Sequence, residues 1–313
     1  MRKFRPMKSL RSIKLFVLAI ALFASLGASA QQDPVFTHYL QNPIAFNPAI
    51  AGTVEGLNLS LLTRHQWIGL DGAPASYSFN AHTPYVKQNM GLGLNVMTDK
   101  AGPLRNTHIT GSYAYQITVF PNVKLSMGLK AGISSYNAAT GSVQVNDPSD
   151  PNFQTDEQRV SPNLGVGFYL YSKQYYAGFS VPKLIEPRLN KEYRESKEPY
   201  NPQFYLMGGY NFPINNDWEF LPSALMGIMG GSPISADFTA QFMYLKRFYF
   251  GTHYRIGDAG GLFVNAKITD DFTFGYAFDF TLNKLSSVNS GTHEFMLTYT
   301  FYGLWNTLQG WKF

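Results

Sequence analysis

Fourteen short stretches of this chain alternate apolar and polar residues. In 271–281, Phe272, Phe274, Tyr276, Phe278 and Phe280 fall on one face, and Thr273, Gly275, Ala277, Asp279 and Thr281 on the other. Successive strand side chains point to opposite faces, so one face is aromatic and the other small or polar. A transmembrane β-barrel turns the first kind of face to lipid and the second to its lumen. The pattern predicts strands near 56–67, 75–83, 90–99, 105–119, 122–136, 160–171, 174–182, 202–213, 217–229, 234–246, 248–257, 260–269, 272–281 and 291–303. Fourteen is even, as in bacterial single-chain barrels, and most stretches approach the length a tilted strand needs to cross hydrocarbon. The stretch 217–229 fits least well, because Pro222 interrupts it and Pro disfavours a central strand.

The connections sort by parity. The even-numbered ones are short, as at Pro121-Asn122, Ser172-Lys173, Asn215-Asn216, Arg247 and Asp270-Asp271; the longest, 137–159, 183–201 and 282–290, are odd-numbered. Outer-membrane barrels have short periplasmic turns and longer extracellular loops. That places both termini in the periplasm and Asn137–Arg159 outside. A soluble β-sandwich, the competing all-β architecture, has no reason to sort its turns this way.

The N-terminus explains how such a chain reaches that membrane. Arg2, Lys3, Arg5, Lys8, Arg11 and Lys14 precede an apolar run, Leu15–Leu26, and the small residues Ala28-Ser29-Ala30. This is a secretory signal over 1–30, cut before Gln31. The formal net charge of +5 comes from that leader: without its 6 of the 25 basic residues, 19 remain against 20 acidic ones, a net charge of −1. A nucleic-acid role therefore has no electrostatic support. The chain has 0 cysteines, so it carries no lipoprotein anchor, disulfide or thiol chemistry.

Between leader and barrel, residues 31–55 contain Asn42-Pro43, Asn47-Pro48 and Gly52. Residues before Pro avoid the helical region, so this segment is ordered but irregular. It is expected to plug the lumen or to sit beneath it as a periplasmic docking surface. The barrel follows over 56–303, then an aromatic tail over 304–313 that includes Trp305, Trp311 and Phe313. Fourteen strands make a ring on the order of 28 Å across. Inward-facing Gly91, Gly93, Ser126, Gly128, Gly165, Gly167 and Gly178 leave room inside it and let another backbone approach closely.

Parity also turns four charges inward: Arg255, Lys267, Asp279 and Glu294, one on each of the last four strands. Adjacent strands lie about 4.8 Å apart, so opposite charges there can pair. They read as a lumenal charge ladder stiffening the wall, or as a selectivity surface. An enzyme is the weaker reading. Among His38, His65, His82, His108, His253 and His293, His108 and Ser112 share an inward face. Four residues along a strand span about 13 Å, far beyond the reach of a nucleophile and its base. No catalytic residue, metal site or cofactor is indicated.

The N-terminal third carries a resemblance. Gln32-Asp33-Pro34-Val35-Phe36-Thr37-His38-Tyr39 leads into Asn42-Pro43, Asn47-Pro48-Ala49 and Ala51-Gly52. Arg64-His65-Gln66-Trp67-Ile68-Gly69, Gly72-Ala73-Pro74, Ala81-His82-Thr83-Pro84, Gly91-Leu92-Gly93-Leu94 and Asp99-Lys100-Ala101-Gly102-Pro103 follow. In combination, over about Gln32 to Gly132, these resemble the PorP/SprF family of Bacteroidetes type IX secretion proteins. The resemblance implies a non-enzymatic outer-membrane protein needed for protein export and, in many members, for gliding motility. It implies as partners the periplasmic ring and motor components, peptidoglycan-linked proteins, or secreted adhesin cargo. Asn42, Pro43, Asn47, Pro48, Gly52 and the inward-facing Arg64 and Gln66 are the partner-binding candidates. Trp67, at the outer end of the first strand, reads as an interfacial girdle residue. The runner-up is a plugged outer-membrane channel for hydrophobic or small solutes.

Overall fold

The computed structural model describes residues 35–85, 89–142, 156–185 and 201–302. The expected leader and aromatic tail lie outside the described residues. The strands are β1 (Leu57–His65), β2 (Ala75–Tyr85), β3 (Met90–Ala101), β4 (Leu104–Phe120), β5 (Val123–Ala138), β6 (Glu157–Tyr171) and β7 (Tyr175–Ile185). They continue as β8 (Gln203–Tyr210), β9 (Trp218–Met229), β10 (Ser235–Tyr244), β11 (Phe248–Arg255), β12 (Ala259–Lys267), β13 (Phe272–Thr281) and β14 (Thr292–Phe301). Each pairs antiparallel with its sequence neighbour, and β1 pairs with β14 from Leu57↔Phe301 to His65↔His293. The ring is therefore closed, as a sheet in lipid must be to leave no unpaired edge.

The expected Pro222 conflict is resolved locally. Pro222 stands opposite Ala240 of β10. On the β8 side, pairing with β9 stops after Phe220 and resumes at Ser223, and the short segment Phe212–Pro213 continues β8 past Asn211. The missing N–H of Pro222 thus falls in a gap of the ladder.

Side chains sort as the alternation requires. On β4, His108, Thr110, Ser112, Ala114 and Gln116 are buried, while Ile109, Tyr113 and Tyr115 are exposed to what would be lipid. The outer surface is apolar and aromatic across the ring, with Leu94, Leu129, Phe168, Phe242 and Phe295 among its exposed residues. The buried apolar core lies inside the ring and is contributed largely by the N-terminal segment.

Residues 35–55 descend through that interior. Thr37 contacts Asp279 of β13, Tyr39 contacts Ser223 of β9, Asn47 contacts β6, and Gly52 contacts β4. Partners on so many strands around a closed ring place the segment in its lumen. Two 3₁₀ turns, Pro43–Ala45 and Pro48–Ile50, give it shape. Each begins on the Pro of an Asn-Pro pair, where a fixed φ suits the first turn and no N–H is lost. Asn47 caps the second turn by accepting from the Ala49 N–H. Phe36, Tyr39, Ile44, Phe46, Ala49, Ile50 and Ala51 are all buried.

The segment has a direction. Thr37 sits among Arg64, Asp279 and Glu294, close to the strand ends that carry the odd-numbered connections. Gly52 sits against Pro84 and Gly91, at the even-numbered end. The start of β1 and the end of β14 share the even-numbered end, as the turn pattern requires. Val35 to His38 lie at the opposite end, which turn parity alone does not reveal.

Candidate functional site

One wall of the lumen holds the segment through hydrogen bonds to two ion-paired carboxylates. Arg64 Nη2 lies 2.7 Å from Asp279 Oδ2 and its Nη1 3.0 Å from Glu294 Oε2. Glu294 also accepts from the backbone N–H of Thr37 at 3.0 Å and of His38 at 2.8 Å, and His38 Nδ1 donates to its Oε1 at 2.7 Å. The Thr37 hydroxyl donates to Asp279 at 2.9 Å. His253 Nε2 donates to the same carboxylate at 2.8 Å, and its other ring nitrogen stands 3.4 Å from Asp237, which Arg255 meets at 2.9 Å. A carboxylate can only accept, so His38 Nδ1 and His253 Nε2 carry protons.

The sequence builds this network locally. His253 of β11 and Asp279 of β13 both stand opposite Gly261 of β12. A Cβ on Gly261 would lie 2.5 Å from His253 Nε2, so the bridge over β12 exists because that position is empty. Arg64 and Glu294 are 1% exposed or less, and each buried charge is met by an opposite one. The cluster has few alternatives to its present geometry. Further down, the Tyr39 hydroxyl meets Ser223 at 3.0 Å.

The opposite wall holds the segment by shape. A Cβ on Gly91 would fall 2.0 Å from the Ala51 carbonyl oxygen, on Gly128 2.2 Å from the Ala49 nitrogen, and on Gly167 2.1 Å from Asn47 Oδ1. A Cβ on Gly93 would meet Ile44 at 2.7 Å. Asn47 Nδ2 donates to the Phe168 carbonyl at 2.9 Å, and the Ser180 hydroxyl to the Phe46 carbonyl at 2.8 Å. At the bottom, Gln116 Nε2 donates to the Gly52 carbonyl and Tyr171 OH to Gln116. Gly165 does a different job: its empty side faces Pro182 on the neighbouring strand.

These positions decide how the candidate residues read. Asn42, Asn47, Pro48, Gly52 and Arg64 are buried inside the barrel. Pro43 and Gln66 are half-buried. The five buried ones face the lumen while the segment is seated, and Pro43 and Gln66 are the more accessible candidates. Of the four ladder residues, Asp279, Glu294 and Arg255 are in the cluster. Lys267 is not: it is the last residue of β12, half-exposed, 3.8 Å from the exposed Asp270. Sequence parity missed Asp237 and His253, and it assigned Thr37 and His38 to the segment without seeing their partners. Trp67 is half-buried in the turn after β1, at φ 48°, its N–H on Thr292. Among the described residues no group of three His, Cys, Asp or Glu is placed to hold a metal ion.

A closed apolar-skinned ring with its own N-terminal segment packed through the lumen is an outer-membrane β-barrel of the internally plugged kind. The family model described as "Type IX secretion system membrane protein PorP/SprF" matches residues 28–299, and the chain belongs to this family. It is a membrane component of the type IX secretion system. Solved structures similar in fold include the Ralstonia pickettii toluene transporter TbuX, at 12% identity, with 87% of this chain and 94% of that one covered and a TM-score of 0.48. A Pseudomonas aeruginosa FadL homologue gives 11%, 82%, 94% and 0.45. BamA from Haemophilus ducreyi, lacking POTRA domains 1–3, gives 9%, 79%, 71% and 0.43. At such identity and score these barrels say nothing of this chain's role. No curated protein matches the chain.

Proposed function

We propose that this barrel serves the type IX machinery as a closed structural and partner-binding component, not as a conduit. The observation that carries the reading is the filled lumen: residues 35–55 are held by hydrogen bonds to Glu294 and Asp279 on one wall and seated on glycines on the other. A solute path would require removing a segment that supplies three donors to Glu294 and one to Asp279, hydrogen bonds to charged groups worth about 1.5–3 kcal/mol each. The short-turn end faces the periplasm, so β1 begins and β14 ends there, and Val35–His38 points toward the outside. Partners then meet the ends of the barrel. They are periplasmic ring or motor proteins, peptidoglycan-linked proteins, or a secreted adhesin.

One end offers a firm surface. The turns after β1 and β13 are joined by backbone hydrogen bonds, Ile68 N to Gly291 O at 2.9 Å and Ser290 N to Ile68 O at 2.8 Å. They display exposed Ile68, Leu70 and Val288. The test is a pull-down of the tagged protein from detergent-solubilised outer membranes, read by mass spectrometry. Type IX ring components or a large adhesin should co-purify; an adhesin bound at the outer rim, but not the periplasmic ring components, should be lost when Ile68 and Leu70 are replaced by Asp in a barrel that still folds. A machinery-free barrel would overturn the reading.

A further inference from the structure

We propose that residues 35–55 are the closing template of the barrel: they seat on the open sheet first and then bring its first and last strands together. This does not depend on the type IX reading. The seam of the ring is the β1–β14 pair, whose facing residues Arg64 and Glu294 are 230 positions apart in sequence. Joining the ends of so long a chain carries the largest loop-closure cost of any pairing in the ring. The ionic cluster sits on that seam. Glu294 of β14 accepts from Thr37 N, His38 N, His38 Nδ1 and Arg64 Nη1. All four donors belong to β1 or to the segment preceding it. Grasping Glu294 therefore ties the last strand to the immediate chain neighbours of the first, and raises their effective concentration.

The glycine wall fixes the order of events. The Ala49 nitrogen occupies the space a Cβ on Gly128 would take, and the Ala51 carbonyl the space beside Gly91. Backbone locked into backbone at that distance cannot be threaded into a ring already closed around it. Seating on β3–β6 while the sheet is open needs no threading. Once seated, the segment holds out Thr37 and His38 for β14.

The test is refolding of the full chain from urea into detergent micelles. Closure is read by the heat-modifiable mobility of the barrel on gels, and unfolding is followed separately in urea. If the clamp forms before the seam, Glu294→Gln slows closure about 10-fold and speeds unfolding less than about 3-fold. Thr37→Ala, which removes the hydroxyl's contacts to Asp279 of β13 and Arg64 of β1, slows closure about 3-fold, while Leu297→Ala on the lipid face of β14 acts mainly on unfolding. Should Glu294→Gln give no folded barrel, Thr37→Ala decides alone. Closure at the unmodified rate, with only unfolding accelerated, would mean that the segment seats afterwards and would overturn the proposal.

Discussion

The two walls of the lumen hold the same segment by different physics. The β10–β14 wall, with Arg64 of β1, uses buried carboxylates that ion pairs fix in place and that accept hydrogen bonds from the segment; the β3–β6 wall uses absent side chains. A charged contact fails when one partner is taken away, because the other is left buried and uncompensated. A glycine seat fails when something is added, because the segment's backbone already fills the space. The two walls are therefore broken by opposite kinds of substitution.

The largest effect is expected from the charged wall. Arg64→Leu leaves Asp279 and Glu294 facing each other without their shared cation, and should cost about 3–5 kcal/mol in urea unfolding followed by heat-modifiable mobility. Next comes the glycine wall. Gly128→Ala should cost about 2–3 kcal/mol, because its Cβ meets the Ala49 backbone, which has little freedom to move. Gly111→Ala sharpens the comparison: it lies on the outer face with its nearest neighbours at 3.9 Å, and should be neutral or stabilise by up to about 1 kcal/mol. Asn47→Ala removes a cap and the bond to Phe168 O, and should cost about 1–2 kcal/mol. Lys267→Ala should change stability by less than about 0.5 kcal/mol, since its ion pair is solvent-exposed. A large loss there would show that the charged wall extends to the far end of β12.

What the sequence revealed follows from what alternation can encode. Period two fixes which face a residue takes, so all fourteen strands, the inward glycines, Arg64, Asp279 and Glu294 were legible. Period two does not fix height along the barrel, which depends on register and tilt together. Arg255 and Lys267 share an inward face, yet Arg255 ends β11 at one rim and Lys267 ends β12 at the other, and only Arg255 joins the cluster. Asp237 and His253 stayed hidden for the same reason: the bridge from His253 to Asp279 depends on Gly261 lying between them in register. The Asn-Pro pairs announced an ordered segment, but alternation says nothing of where an irregular segment packs. Asn47 and Pro48 offer nothing outward while Asn47 is bonded to β6.

The account turns on a lumen filled by the chain itself, and planar-bilayer recording of the purified full chain tests that most directly. It predicts no steady conductance above the bare membrane at moderate voltage. It also predicts that a chain folded with Arg64→Leu shows intermittent openings, as Thr37 loses a donor and the carboxylates that hold the segment lose their shared cation. A stable, ohmic open channel from the unmodified protein would contradict it.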